Sequence, residues 1–99
     1  MISREQARAL VEAEIHRPDP YGARDPVEIV EGSTIERGWG WVFFYQSSEY
    51  LRTGNVSAAL AGNAPYIVNR HTGELIITGT AWPTQKYIDD YESRLHADV

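Results

Sequence analysis

The side chains able to do chemistry are few and scattered. There are three histidines, His16, His71 and His96, and none sits in an H-x-x-x-H or H-E-x-x-H pattern, so no metal site is expected. His71 falls in a stretch that reads as a hairpin turn, where solvation accounts for it. The chain has no cysteine, which removes disulfides, thiolate zinc sites and cysteine nucleophiles together. No G-x-S-x-G is present. Ser47-Ser48 stands beside Tyr45 and Glu49 with no histidine near in sequence, so a catalytic triad would have to assemble through space. Asp89-Asp90 lies on a helix, where adjacent positions point about 100° apart and do not converge on one substrate atom. Glu28, Glu31 and Glu36 lie on strand segments beside a Trp-rich strand. They can present charge outward from a packed sheet, although ordinary strand alternation gives the same pattern. Gly38-Trp39-Gly40 and Gly54-Asn55 complete neither phosphate-binding glycine motif. The first pair more simply relieves crowding around Trp39 or lets a strand bend. No cofactor is implied.

The aromatic residues are the stronger signal. Trp39, Trp41, Phe43, Phe44 and Tyr45 form a dense run, most of it core. One small sheet can hardly bury both faces completely, so some of Trp39, Tyr50, Tyr66 and Trp82 are expected to stay partly exposed, where Trp and Tyr make favoured interface anchors.

The elements that must position these groups follow from pattern. Ser3 with Gln6 makes an S-x-x-Q capping box at the start of a helix reaching about His16. Ala7, Leu10, Val11 and Ile15 give that helix a narrow apolar stripe, interrupted by Glu14. Glu5 and Arg17 suit the helix dipole at its two ends. Residues 18–26 carry three prolines and a glycine and read as a loop. Val27 to Val30 and Thr34 to Arg37 read as strand, broken near Gly32-Ser33 by a bulge or turn. After Gly38, Trp39 to Gln46 is the strongest strand. It is apolar on both faces, which means a central position or a covered second face. Ser47 or Ser48 caps a single helical turn that Gly54-Asn55 ends. A short apolar run, residues 58–61, and the breaker Gly62-Asn63-Ala64-Pro65 follow. Tyr66 to Arg70 and Glu74 to Thr78 then pair through a His71-Thr72-Gly73 turn, with Gly73 supplying positive φ. Pro83 and Thr84 open a last helix carrying Tyr87, Ile88, Tyr91 and Leu95 on one face, and the tail after His96 frays.

Short turns imply an antiparallel sheet. The expected fold is therefore an α+β two-layer domain: an antiparallel sheet of about four strands, with the N- and C-terminal helices packed on one face. At 99 residues and 42% apolar composition the chain suits one globular domain spanning residues 1–99. The N-terminus shows no signal-peptide pattern, and the longest apolar run, Trp41 to Tyr45, is far too short to cross a bilayer. The net charge of −5, with a single lysine, Lys86, disfavours nucleic-acid binding and suits a basic protein partner. A cytoplasmic location fits the absence of cysteine.

One succession of residues goes further. Gly40-Trp41-Val42-Phe43-Phe44-Tyr45 leads to Tyr50-Leu51-Arg52-Thr53-Gly54-Asn55. Leu60-Ala61-Gly62-Asn63-Ala64-Pro65-Tyr66-Ile67-Val68-Asn69-Arg70 follows, then Thr72-Gly73-Glu74, and Thr78-Gly79-Thr80-Ala81 before Tyr87-Ile88. This order resembles the immunity-protein 35 family, the YrhB-type domain, over about residues 33–92, and the first helix fits the family's N-terminal region. The resemblance implies an immunity protein of a bacterial polymorphic toxin system: a non-enzymatic antidote that blocks a cognate toxin domain stoichiometrically. It also leaves room for a small heat-stable chaperone-like protein holding unfolded clients, as some relatives are described, while the aromatic sheet alone leaves room for a small-molecule-binding domain. On the antidote reading, the expected partner-binding residues are the acids Glu28 and Glu36 and the aromatics Trp39, Tyr50 and Trp82. The acids would meet toxin Arg or Lys and the aromatics would anchor the centre of the interface.

Overall fold

In a computed structural model, residues 1–16, 26–58 and 64–97 are described. Most of the proline-rich loop, the end of the apolar run and the Gly62-Asn63 breaker, Arg17 and the extreme tail lie outside them. The first helix, α1 (Arg4–Ile15), starts as its sequence dictates. Ser3 Oγ accepts from the Gln6 amide at 3.1 Å, and Gln6 Oε1 accepts from the Ser3 amide at 2.9 Å. Its buried stripe is Ala7, Val11 and Ile15; Leu10 points largely to solvent. A stripe that narrow covers one row of a sheet and no more.

The chain then runs through β1 (Val27–Ile29), a 3-10 turn at Glu31–Ser33 and β2 (Ile35–Arg37). A tight turn at Gly38-Trp39 leads back through β3 (Gly40–Phe43) and β4 (Tyr45–Ser47). This is one long hairpin with a three-residue insertion. Ile29 pairs with Tyr45 and Ile35 with Val42, so the extra residues on the first arm are those of the 3-10 turn. The sequence-expected interruption at Gly32-Ser33 is that turn. It splits the hairpin into a two-stranded ribbon, β1–β4, and part of a four-stranded antiparallel sheet of order β2-β3-β5-β6, where β5 is Tyr66–Asn69 and β6 is Leu75–Ile77. Between β4 and β5 stands the short helix α2 (Ser48–Thr53), capped by Ser47 and closed by Gly54 at φ 72°. The last helix, α3, spans Thr84–Ala97.

The α+β class and the four-stranded antiparallel sheet are as expected. The helices, however, do not share a face. Ala7, Val11 and Ile15 of α1 pack with Val27, Ile29, Trp41, Phe43, Tyr66 and Val68. Ile88 and Tyr91 of α3 pack with Val42 and Ile67, alongside Ile35, Trp39, Phe44, Ile76 and Leu95. The expected two-layer arrangement, with both helices on one side, is thus corrected to three layers with the sheet in the middle. The physical reason lies in β3 and β5, whose residues are buried without exception. Successive strand residues face opposite ways, so a strand apolar at every position must be covered twice.

Two glycines carry backbone duties here. Gly73 adopts φ 74° in the β5–β6 turn, as its position predicts. Gly40, at φ 154°, lies where β3 crosses close to β5, and a Cβ there would fall 1.9 Å from the Val68 carbonyl oxygen. The hairpin turn is tied to α3 by a buried asparagine. Asn69 Oδ1 accepts from the amides of His71 (2.8 Å) and Thr72 (3.1 Å), while its Nδ2 donates to the Tyr91 hydroxyl at 2.9 Å. On the other side, Arg8 bonds Glu31 and so ties α1 to the 3-10 turn. That hydrogen bond and the nearby carboxylates hold the guanidinium above its usual value.

Candidate functional site

The five residues expected to meet a partner are distributed over separate segments. Glu28 is the exposed middle residue of β1, pointing away from the α1 side that takes Val27 and Ile29. Glu36 is exposed on β2, directly opposite Trp41. Trp39 sits in the β2–β3 turn, Tyr50 on α2, and Trp82 in the connection before α3. Glu36 and Trp39 are near in sequence but serve opposite faces: Glu36 bonds Trp41 of the α1 layer, and Trp39 packs in the α3 layer.

Glu36 is the most organised of the five. Its Oε1 accepts from the Trp41 indole N–H at 3.3 Å, and its Oε2 accepts from Arg70 at 3.4 Å. Arg70 in turn lies over the Trp41 ring at 4.8 Å and donates to the Arg37 carbonyl at 2.9 Å. The carboxylate is therefore oriented by two donors, yet its side chain remains 58% exposed. An acid held this way meets an incoming cation with little rotamer entropy left to lose.

Trp39 has a different duty. Its ring meets Tyr91 edge-on at 4.9 Å, and it is half-buried against α3. Its indole N–H is buried without a partner among the described residues. Tyr50 is half-buried, and its amide donates to the capping Ser47 hydroxyl. Trp82 is 57% exposed, with the Lys86 ammonium 5.6 Å from its ring centre. Glu28 and Trp82 are thus exposed without the two-donor clamp that makes Glu36 the best held of the set.

None of the five residues lies on the β6 edge of the sheet. β6 is the last strand, and Ile77 is 59% exposed on it. Beside it a groove of about 240 Å³ opens between β6 and the α3 stripe of Tyr87, Asp90, Tyr91 and Arg94. Leu75-Ile76-Ile77 is apolar at three consecutive positions, and only the strand order places that run at the end of the sheet. Leu51 and Val56, both exposed, add apolar surface beside Tyr50.

Among the described residues no group of histidine, aspartate and glutamate is arranged to hold a metal ion, and no helix is long and apolar enough to cross a membrane. His16 is occupied structurally. Its Nε2 donates to the Val27 carbonyl at 3.1 Å, and its Nδ1 lies 3.2 Å from Glu12 Oε2.

The model of one protein family, immunity protein 35, matches residues 5–91. The chain belongs to the immunity protein 35 family. It is also 47% identical over 53 residues to the uncharacterized protein YrhB of Escherichia coli (strain K12). That match covers 54% of this chain and 56% of YrhB, so the chain spans little more than half the length of this relative. No solved structure matches the chain. Membership in the immunity protein 35 family matches the resemblance carried by the G-W-x-F-x-Y strand and the turns that follow it.

Proposed function

We propose that this protein is an antidote that binds a cognate bacterial toxin domain in the cytoplasm of the producing cell and blocks it stoichiometrically. The family match over residues 5–91 carries the reading. The surface chemistry supports it. Glu28 and Glu36 present carboxylates outward, Trp82 offers an exposed aromatic ring, and the net charge is −5. Such a surface suits a toxin whose active groove is basic, and opposite net charges speed the encounter. Inhibition then needs no catalytic group in this chain. The interface covers the toxin's substrate groove, with Glu36 meeting an Arg or Lys and Trp82 excluding water from the contact.

The test is capture of the tagged protein from its own cell lysate, a salt wash, and mass spectrometry of what remains, followed by co-expression of the captured partner with and without the protein. The expected result is one stoichiometric partner with a toxin domain, whose growth arrest the protein relieves. Many substoichiometric partners, with no arrest relieved, would replace the antidote reading with the chaperone-like one.

A further inference from the structure

The outer edge of β6 is built to accept another strand. In the β5–β6 ladder the Asn69 amide donates to the Glu74 carbonyl and the Thr78 amide to the Pro65 carbonyl. Hydrogen-bonded pairs alternate along an antiparallel ladder, so Ile76 bonds inward to Ile67, while the N–H and C=O groups of Leu75 and Ile77 point outward. Among the described residues neither finds a further backbone partner. The opposite edge, β2, carries Glu36 and Arg37, the charged residues that blunt strand edges. The three residues of β6 are Leu, Ile and Ile, with neither charge nor proline to protect them.

We propose that this edge pairs with the β6 edge of a second copy of this chain, joining two four-stranded sheets into one of eight strands about a two-fold axis. The strand is self-complementary in register. Centring the pair on Ile76 sets Leu75 opposite Ile77 of the other copy at both ends, and the outward groups then form four backbone hydrogen bonds. On the α1 face each exposed Ile77 comes to lie on a Leu75 that is half-buried already. On the α3 face the second copy's Ile76 enters the apolar groove beside Ile76, Tyr87 and Tyr91.

Charge favours a second copy as the occupant. The rim of the groove carries both signs, Asp90 with Lys86 at 3.1 Å and Arg94 with Glu74 at 3.0 Å. A two-fold perpendicular to the sheet sets the two α3 helices antiparallel, and each rim charge is already paired within its own chain, so the rim sets no net charge against its copy. A patch of one sign would repel its own copy. The contact is small, well under the roughly 1,200–2,000 Å² of stable assemblies, so the dimer is weak, with a dissociation constant on the order of 100 µM.

Sedimentation equilibrium from about 5 µM to 1 mM, with amide exchange at both ends of that range, tests this. The expected result is an average mass rising from 11.2 kDa towards twice that value, with the Leu75 and Ile77 amides gaining protection as concentration rises. Ile77→Lys should hold the protein monomeric at all these concentrations with unchanged thermal stability, because the residue is exposed in the monomer. Ile77→Pro should do the same, since it removes only an outward N–H. A wild-type protein that stays monomeric at 1 mM overturns the proposal. So does a dimer that Ile77→Lys leaves intact, because its interface would lie elsewhere. Either result leaves the antidote reading untouched, since toxin capture is measured separately.

Discussion

Replacing Gly40 by alanine should damage the fold far more than replacing Gly38, although the two flank the same tryptophan. A Cβ on Gly40 would lie 1.9 Å from the Val68 carbonyl oxygen and about 3.0 Å from the Asn69 Cα. Both are backbone atoms of the central partner strand, so nothing flexible can give way. The glycine also holds φ 154°, a region that costs a residue with a side chain about 1–3 kcal/mol. Relief of the overlap requires β3 to draw away from β5 at the Gly40–Asn69 pair, beside the bond from the Arg70 amide to the Trp39 carbonyl at 2.8 Å. Losing two backbone hydrogen bonds there adds about 1 kcal/mol each. The sum is roughly 3–5 kcal/mol, a large share of the ~5–15 kcal/mol that holds a domain of this size together. At about 4–8 °C per kcal/mol, the melting temperature should fall by at least ~12 °C. Gly38 has open space around it and no left-handed φ, so Gly38→Ala should change stability by no more than about 0.5–1 kcal/mol, in the stabilising direction if at all. Urea unfolding followed by tryptophan fluorescence measures both, since Trp39 and Trp41 lie next to Gly40. A Gly40→Ala variant within ~1 kcal/mol of wild type at an unchanged denaturant slope would refute the close-approach argument. Equal losses at the two glycines would refute it as well.

Other consequences can be checked alongside. Asn69→Ala removes three hydrogen bonds at a buried site and should cost about 2–4 kcal/mol, with a coupling of ~1 kcal/mol to Tyr91→Phe in a double-mutant cycle of urea midpoints. Trp82→Ala and Glu36→Gln should each lower affinity for the captured toxin at least ~10-fold in calorimetry, while Trp82→Ala leaves stability within about 0.5 kcal/mol. Glu36→Arg would confuse that test, because it sets a second cation against Arg70 and strips the acceptor from the Trp41 indole. The association rate with the toxin should fall several-fold between about 50 and 500 mM salt, read by stopped-flow; a salt-independent rate would remove electrostatic steering from the mechanism.

What the sequence makes legible, and what it leaves hidden, divides along physical lines. Local signals read well. The Ser3–Gln6 capping box, the positive φ of Gly73, the break near Gly32-Ser33 and the Ser47 cap depend on residues near one another in the chain, and each stands as its chemistry requires. The placement of the helices reads poorly because it depends on which elements meet through space. The pattern of β3, apolar on both faces, demands two covers, and an arrangement with both helices on one face would leave its other side bare. The outer strand was hidden for the same reason. Leu75, Ile76 and Ile77 look like any buried strand until the strand order puts β6 at the end of the sheet. For the candidate site, charge and aromatic type single out Glu36, Trp39 and Trp82 but say nothing of how each is packed. Only packing separates Trp39, held edge-on against Tyr91, from Trp82, open to solvent.

The residues that carry the family resemblance turn out to hold one another. Thr78, of the T-G-T turn, donates through its hydroxyl to the carbonyl of Pro65, of the G-N-x-P turn, at 2.6 Å. Gly79 leaves room for the Tyr87 hydroxyl, which would stand 2.7 Å from a Cβ at that position. Gly40 admits the Val68 carbonyl, and Asn69 joins the Thr72-Gly73 turn to Tyr91. The first three links each join two pieces of the motif, the fourth joins it to Tyr91 beyond its last piece, and none faces outward as a recognition group. These links serve the backbone geometry of the sheet and its last helix and need no partner. On the antidote reading, recognition then falls to exposed residues that none of these links uses, where substitution does not disturb the fold. Glu28 on the ribbon and Trp82 before α3 satisfy that condition, and Glu36 does so in part. Trp39, wedged against Tyr91, does not, so a loss of toxin binding in Trp39→Ala should come with a loss of stability. The same loss in Trp82→Ala should come without one.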